Sequence, residues 1–145
     1  MVHCGLNKPV VETAHAILKL GDNYVLQLRD DSPLVASAGQ WSLFGGKIDK
    51  GETPQDAMQR EIFEELSIKP DTLKLLWPVD YHYEFAKGMV RTWFFEAQVD
   101  SVWEKHKLNE GRAAKAYTFE GLSGLDIPDI IRKVLNRYHA ERELQ

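Results

Sequence analysis

Apolar and polar residues alternate over 10–20 (VVETAHAILKL) and again over 23–29 (NYVLQLR), with Gly21-Asp22 between them. That pattern predicts two strands of a hairpin joined by a tight turn. The segment DDSPLVASAG (30–39) is rich in turn residues and reads as a loop. QWSLF (40–44) is a short apolar strand that runs into Gly45-Gly46. Further on, LKLLWPVDYHYEF (73–85) and MVRTWFFEAQVD (89–100) are predicted as long strands around a Lys87-Gly88 turn. A loop, WEKHKLNEGRA (103–113), then leads to a short AYTF strand (116–119).

The period changes to that of a helix in two places. Thr53 is a candidate N-cap, Pro54 suits the first helical position, and Asp56 completes a capping-box pattern. Pro70 marks the stop, so the helix is predicted over 54–66, with Met58, Ile62, Phe63 and Leu66 as its apolar face. In the stretch 127–143, apolar residues at 127, 130, 131, 134, 135 and 138 have the spacing of an amphipathic terminal helix. Strands and helices mix without strict βαβ alternation. This predicts an α+β or α/β sandwich rather than a doubly wound sheet, in one domain over 1–145.

Composition narrows the function classes. The 145-residue chain is 43% hydrophobic and 28% charged, ordinary for a globular protein with one core. Its net charge of −4 gives no electrostatic reason for stable binding to nucleic acid or an anionic membrane. A polyanionic substrate would need local positive charge or a metal. Cys4 is the sole cysteine, so no intramolecular disulfide can form, and it reads as a bystander thiol. The N-terminal stretch lacks a cleavable apolar leader and no later stretch reaches membrane-spanning length, so a cytoplasmic protein is expected. The histidines, His3, His15, His82, His106 and His139, show no metal-ligand spacing.

Within the first helix, REIFEE (60–65) puts Glu61, Glu64 and Glu65 on one stripe about 100° wide. Like charges so placed repel each other and weaken a bare helix. The stripe is either a solvated face or a set of carboxylates awaiting a cation. Mg2+ takes a few carboxylate oxygens and retains waters and substrate phosphates, which suits three glutamates on one rigid helix. A phosphate-binding Walker A loop is excluded: no glycine stands at the required spacing before Gly46-Lys47, and Ile48 replaces its Ser or Thr.

From Gly46 the chain reads G-x5-E-x7-R-E-I-x-E-E-x-S-I, ending at Ile68. This resembles the Nudix box, G-x5-E-x7-R-E-U-x-E-E-x-G-U with U aliphatic. Gly46, Glu52, Arg60, Glu61, Ile62, Glu64, Glu65 and Ile68 match, and only Ser67 departs from the pattern. The resemblance implies an α/β/α sandwich with a mixed sheet. It also implies hydrolysis of a diphosphate bond in a nucleoside diphosphate linked to another group, with Mg2+ or Mn2+ as cofactor.

The same resemblance implies that Glu61, Glu64, Glu65 and the Gly45 carbonyl hold the metal as a preassembled site. Arg60 would brace Glu52 and Glu64, and one of Glu61, Glu64 and Glu110 would accept the water proton. LNEGRA (108–113) resembles the E-G-Q segment of MutT-type members, making Glu110 a further metal ligand, although Arg112 matches imperfectly. Arg29 matches a phosphate-contacting arginine. Phe44, Tyr81 or Tyr83 would stack on a base, and Asp126 or Asp129 would stand near the position where those relatives carry a base-reading asparagine. If the family glycine at 67 is left-handed, serine there costs roughly 1 kcal/mol.

The expected substrate is a nucleoside triphosphate cleaved to monophosphate and pyrophosphate, with an oxidised purine as one candidate. ADP-ribose, a nucleotide sugar or a dinucleoside polyphosphate are alternatives, as is a non-catalytic nucleotide-sensing role. The implied partner is a small-molecule nucleotide, and the protein is expected to be a monomer or homodimer.

Overall fold

The first hairpin forms where alternation predicts it. In the computed structural model, which describes residues 8, 9 and 11–145, β1 (Val11–Leu20) and β2 (Asn23–Leu28) pair antiparallel through Leu18↔Val25 and Leu20↔Asn23. Gly21 carries the turn with φ +60°. The expectations placed on His3, Cys4 and residue 10 lie outside the described residues.

Only the end of β1 stays with β2. Nearer its start, β1 pairs instead with β4 (Phe44–Lys47), from Thr13↔Lys47 to Ala16↔Phe44. The predicted single strand over 40–44 is therefore corrected to two. β3 (Trp41–Ser42) pairs with β2, and β4 carries Gly45 and Gly46 inside the ladder rather than after it. Backbone proximity explains the glycine: a Cβ on Gly45 would stand 2.1 Å from the Ala14 carbonyl oxygen.

β5 (Lys74–Tyr83) and β6 (Gly88–Gln98) form the long antiparallel pair, and β6 runs parallel to β1 from Val11↔Val90 to Lys19↔Gln98. β7 (Ala113–Tyr117) starts earlier than the predicted AYTF strand, because Ala113 and Ala114 already pair with Leu28 and Gln27 of β2. Their small side chains give no period to read. The sheet order is β3-β2-β1-β6-β5, with β4 also on β1 and β7 also on β2: a mixed sheet, as expected.

Alternation along the central strands supplies two cores. Ala14, Ala16 and Leu18, with Val25, Phe95 and Ala97, pack against Ala57, Met58, Ile62 and Leu66 of α1 (Pro54–Leu66). Ile17, Tyr24, Leu26 and Phe94 pack against Ile131, Val134, Leu135 and Tyr138 of α2 (Asp129–Glu143) on the other face. The result is an α/β/α sandwich.

α1 begins as predicted, with the Asp56 amide donating to Thr53 Oγ1 at 3.1 Å. Its apolar face needs one correction, since Phe63 is 54% exposed while Glu65 is buried. At about 100° per residue, Met58, Ile62 and Leu66 span a narrow stripe. Glu65 falls about 20° to one side of Met58, and Phe63 falls about 60° beyond Leu66.

The helix ends at Ser67, which is left-handed at φ +57°. The loop before β7 supports this end. The Lys107 amide donates to Leu66 O at 2.9 Å and the Asn109 amide to Glu65 O at 2.9 Å. The Asn109 side-chain amide donates to Glu64 O at 3.0 Å and to Ser67 Oγ at 2.8 Å. Donors from one short loop thus satisfy the last carbonyls of the helix, which otherwise lack partners. Asn109→Ala is expected to destabilise the fold by about 1 kcal/mol. A lowered urea midpoint at constant m-value checks this, and an unchanged midpoint would mean that water replaces the clasp.

Candidate active site

Arg60 organises the acidic face of α1. Its Nε and Nη2 donate to both oxygens of Glu52 at 2.8 and 2.9 Å. Nη1 donates to Glu61 Oε2 at 2.8 Å and to Glu64 Oε1 at 3.0 Å, and Nη2 also reaches Lys47 O at 3.0 Å. Glu52 Oε1 accepts from the Asp49 amide as well, at 2.8 Å. The Arg60 hydrogen bonds, followed by that amide, hold the Glu52 carboxyl down at about 2. The paired carboxylates push Arg60 above the usual guanidinium range.

Glu61 lies against the glycine of β4, and a Cβ on Gly46 would stand 2.6 Å from its carboxyl group. Its side chain is only 14% exposed, and burial raises its pKa ahead of the opposing pull from Arg60. Glu65 is deeper still. Gln27 Nε2 donates to its Oε1 at 3.2 Å, while the buried Oε2 has no hydrogen-bond partner among the described residues. Burial first, then the charge of Glu61, pushes this carboxyl up to about 8. Glu64 is half-exposed at the rim. Glu110 follows the clasp residue Asn109 and, with Gln27 and Arg29, lines a cavity of about 170 Å³.

Among the described residues, no three Asp, Glu, His or Cys side chains form a ready coordination shell. Arg60 takes one oxygen each of Glu61 and Glu64, and Gln27 takes one oxygen of Glu65. The donors still fit a hard divalent cation. All are oxygens, one buried oxygen is without a partner among the described residues, and burial raises the pKa of Glu61 and Glu65 above the ordinary carboxylate value.

A larger cavity of about 490 Å³ adjoins this face, reached by Arg29, Gly45, Gly46, Tyr81, Tyr83 and His15. Arg29 borders both cavities, with Nε donating to Ala36 O at 3.0 Å. Tyr83 OH and Ser37 Oγ are 3.2 Å apart, and the Tyr81 and Tyr83 rings lie 6.2 Å apart. A chain of hydroxyls runs behind them, Thr13–Thr92 at 2.7 Å and Thr92–Tyr81 at 2.9 Å.

Phe44 must be corrected as a stacking residue. It is fully buried in the core against α1, because neighbours on a strand face opposite sides and Gly45 faces the cavity. Neither Asp126 nor Asp129 lines the cavity, although Pro128 and Ile130 do, and Asp126 instead accepts from Gln40 Nε2 at 3.0 Å. Arg112 contributes its amide to Leu28 O at 2.8 Å.

Two residues at this site escaped the sequence reading. Gln27 is an ordinary polar position of an alternating strand. His15 has no ligand spacing, yet it is half-buried beside the cavity with its Nδ1 enclosed and unpartnered among the described residues, and burial lowers its pKa to about 4. A polar residue among small neighbours on a central strand was the available signal for His15.

The 8-oxo-dGTP diphosphatase of Escherichia coli (strain K12) is 35% identical over 86 residues, which cover 58% of this chain and 62% of that protein. The RNA pyrophosphohydrolase of Psychromonas ingrahamii is 42% identical over 53 residues, covering 35% of this chain and 29% of that protein. The chain thus spans less than two thirds of the curated relatives it matches. The fold is similar to that of the MutT protein from Methanosarcina mazei Go1, with a TM-score of 0.79 at 23% identity over 94% of this chain and 98% of that one. The model of the NUDIX domain matches residues 12–138, the whole span from β1 to the last core turn of α2, and the chain belongs to that family.

Proposed function

We propose that this chain, as one domain over 1–145, hydrolyses a diphosphate bond in a nucleoside diphosphate linked to another group. The first-choice substrate is a nucleoside triphosphate, cleaved to monophosphate and pyrophosphate. The observation that carries this reading is the acidic face of α1, with an unpartnered buried Glu65 oxygen, together with a cavity roomy enough for a base whose wall includes Gly46, the glycine that Glu61 lies against. The match to an 8-oxo-dGTP diphosphatase supports the triphosphate class and makes an oxidised purine a candidate. The match to an RNA pyrophosphohydrolase supports a second reading, a 5′-triphosphate end of RNA.

Glu61, Glu64, Glu65, Glu110 and the Gly45 carbonyl would hold a divalent cation, with Mg2+ as first choice and Mn2+ as an alternative. When bound, such a cation supplies Lewis-acid neutralisation of the phosphate charge. Arg29, which borders both cavities, meets a phosphate, and Tyr81 or Tyr83 offers a ring face to the base. Water oxygen attacks phosphorus, the bridging P–O bond breaks, and the pyrophosphate oxygen leaves with the electron pair. The water proton passes to a carboxylate of Glu61, Glu64 or Glu110. Arg60 touches none of the reacting atoms in this scheme and aims the carboxylates. No described helix is long and apolar enough to cross a membrane. The proposed setting is cytoplasmic, with the protein a monomer or homodimer.

The test is release of pyrophosphate or monophosphate across a panel with Mg2+. The panel contains oxidised and ordinary nucleoside triphosphates, ADP-ribose, a nucleotide sugar, a dinucleoside polyphosphate and 5′-triphosphorylated RNA. Turnover of triphosphates that stops in EDTA is the expected result. No turnover of any member, or full activity in EDTA, would overturn the reading.

A further inference from the structure

Gln27 is 1% exposed and sits on β2, one strand removed from the acidic helix. Its amide nitrogen donates twice, to Leu43 O at 3.0 Å and to Glu65 Oε1 at 3.2 Å. Both partners face it as acceptors, so the nitrogen and not the oxygen of the amide must point this way. The Leu43 carbonyl lies at the junction between β3 and β4 and belongs to the rigid sheet. One hydrogen bond therefore anchors the amide, and the other acts on the glutamate. The amide oxygen is accommodated by Gly111, where a Cβ would stand 3.0 Å away.

The outcome is unequal treatment of the two Glu65 oxygens. Oε1 is held and Oε2, equally enclosed, is left without a partner. We infer that Gln27 is a positioning residue that fixes Glu65 through Oε1 and so presents Oε2 to the divalent cation. The assignment rests on the metal-dependent reading above. A ligand oxygen fixed in advance loses less freedom on binding, and partners of this kind are worth roughly ten- to a hundredfold in metal affinity. Gln27 also lines the smaller cavity together with Glu110, another of the proposed ligands.

The experiment is a titration of the metal-free protein with Mn2+ alone, followed by the EPR signal of the free ion. Gln27→Met keeps the length of the side chain and removes both donors. It is expected to weaken Mn2+ binding roughly tenfold or more. Gln27→Asn keeps an amide one methylene too short to span both acceptors, should give the same direction, and serves if the methionine variant does not fold. In a Glu65→Gln background, Gln27→Met should add no further loss, because it acts through that carboxylate.

Wild-type Mn2+ affinity in the folded Gln27 variants would overturn the assignment, as would losses that add in the double variant. The readout is independent of nucleotides, so a wild type that binds Mn2+ but hydrolyses nothing counts against the proposed activity alone. A wild type that does not bind Mn2+ overturns both.

Discussion

Glu64→Gln is expected to lower kcat by about 10³-fold while leaving the melting temperature within about 2 °C of wild type. Glu64 is half-exposed, and its one hydrogen bond to a side chain is to Arg60, which keeps its bidentate pairing with Glu52 and its contact with Glu61. The substitution conserves shape and removes a charge where the reaction needs it, whether Glu64 holds the cation or takes the water proton. Exposed positions of this kind contribute little to stability, so lost activity cannot be attributed to unfolding. Steady-state kinetics with a saturating triphosphate and a thermal melt of the same sample make the test. Activity within tenfold of wild type would remove Glu64 from the reaction.

The other large effect is on stability and has the opposite sign. Glu65→Gln is expected to stabilise the metal-free protein at pH 7 to 8. Folding raises the Glu65 pKa from 4.5 to about 8, so the folded chain binds more protons than the unfolded chain between those values. Its contribution to stability is therefore fully present below pH 4.5 and is lost as pH rises through 8. At pH 7 the penalty is about 3 kcal/mol, from roughly 1.4 kcal/mol per pH unit. A glutamine cannot ionise and avoids that penalty, although its buried amide without an acceptor returns about 1 to 2 kcal/mol of it. A net gain of about 1 to 2 kcal/mol remains.

His15 titrates in the opposite sense. Its pKa falls on folding from 6.5 to about 4, so its contribution changes only below pH 6.5. Melts in EDTA between pH 6.5 and 8, compared between wild type and Glu65→Gln, therefore report on Glu65. The wild-type melting temperature should decline across that interval more steeply than that of Glu65→Gln. Parallel slopes would show that Glu65 is already ionised in the metal-free fold.

The box was legible because its spacing is a property of one helix and its approach. Thr53, Pro54 and the Pro70 stop are local signals, and Glu64 as a partner of Arg60 follows from the i, i+4 spacing of the helix. What could not be read were the contacts made across the sheet. Gln27 meets Glu65 from 38 positions away. The Asn109 clasp on α1 spans a similar separation, and no pattern in LNEGRA announces it. Phe44 was misplaced because a strand next to two glycines looks like a ligand loop until its pairing with β1 assigns each residue a side. Glu65 was read as one of three carboxylates on a single stripe of the helix. Its angle, about 20° from Met58, buries it at the edge of the apolar stripe instead, and that burial is the main cause of its shifted proton affinity.

The exchange of partners along β1 has a further consequence. β2 and β4 leave the same edge of one strand like the two sides of a partly opened zipper, and the larger cavity opens beside that parting, between Arg29 and Gly45. From there the hollow extends over the sheet, where Tyr81 and Tyr83 of β5 and Val90 of β6 line it. The loop over 30–40 spans the parting, and Ala36 and Ser37 form part of the cavity wall. Changes in the length of that loop can therefore reshape the wall while the hydrogen-bonded ladder and both cores stay as they are. Such a protein can change its guest by lengthening a hem, without recutting the cloth.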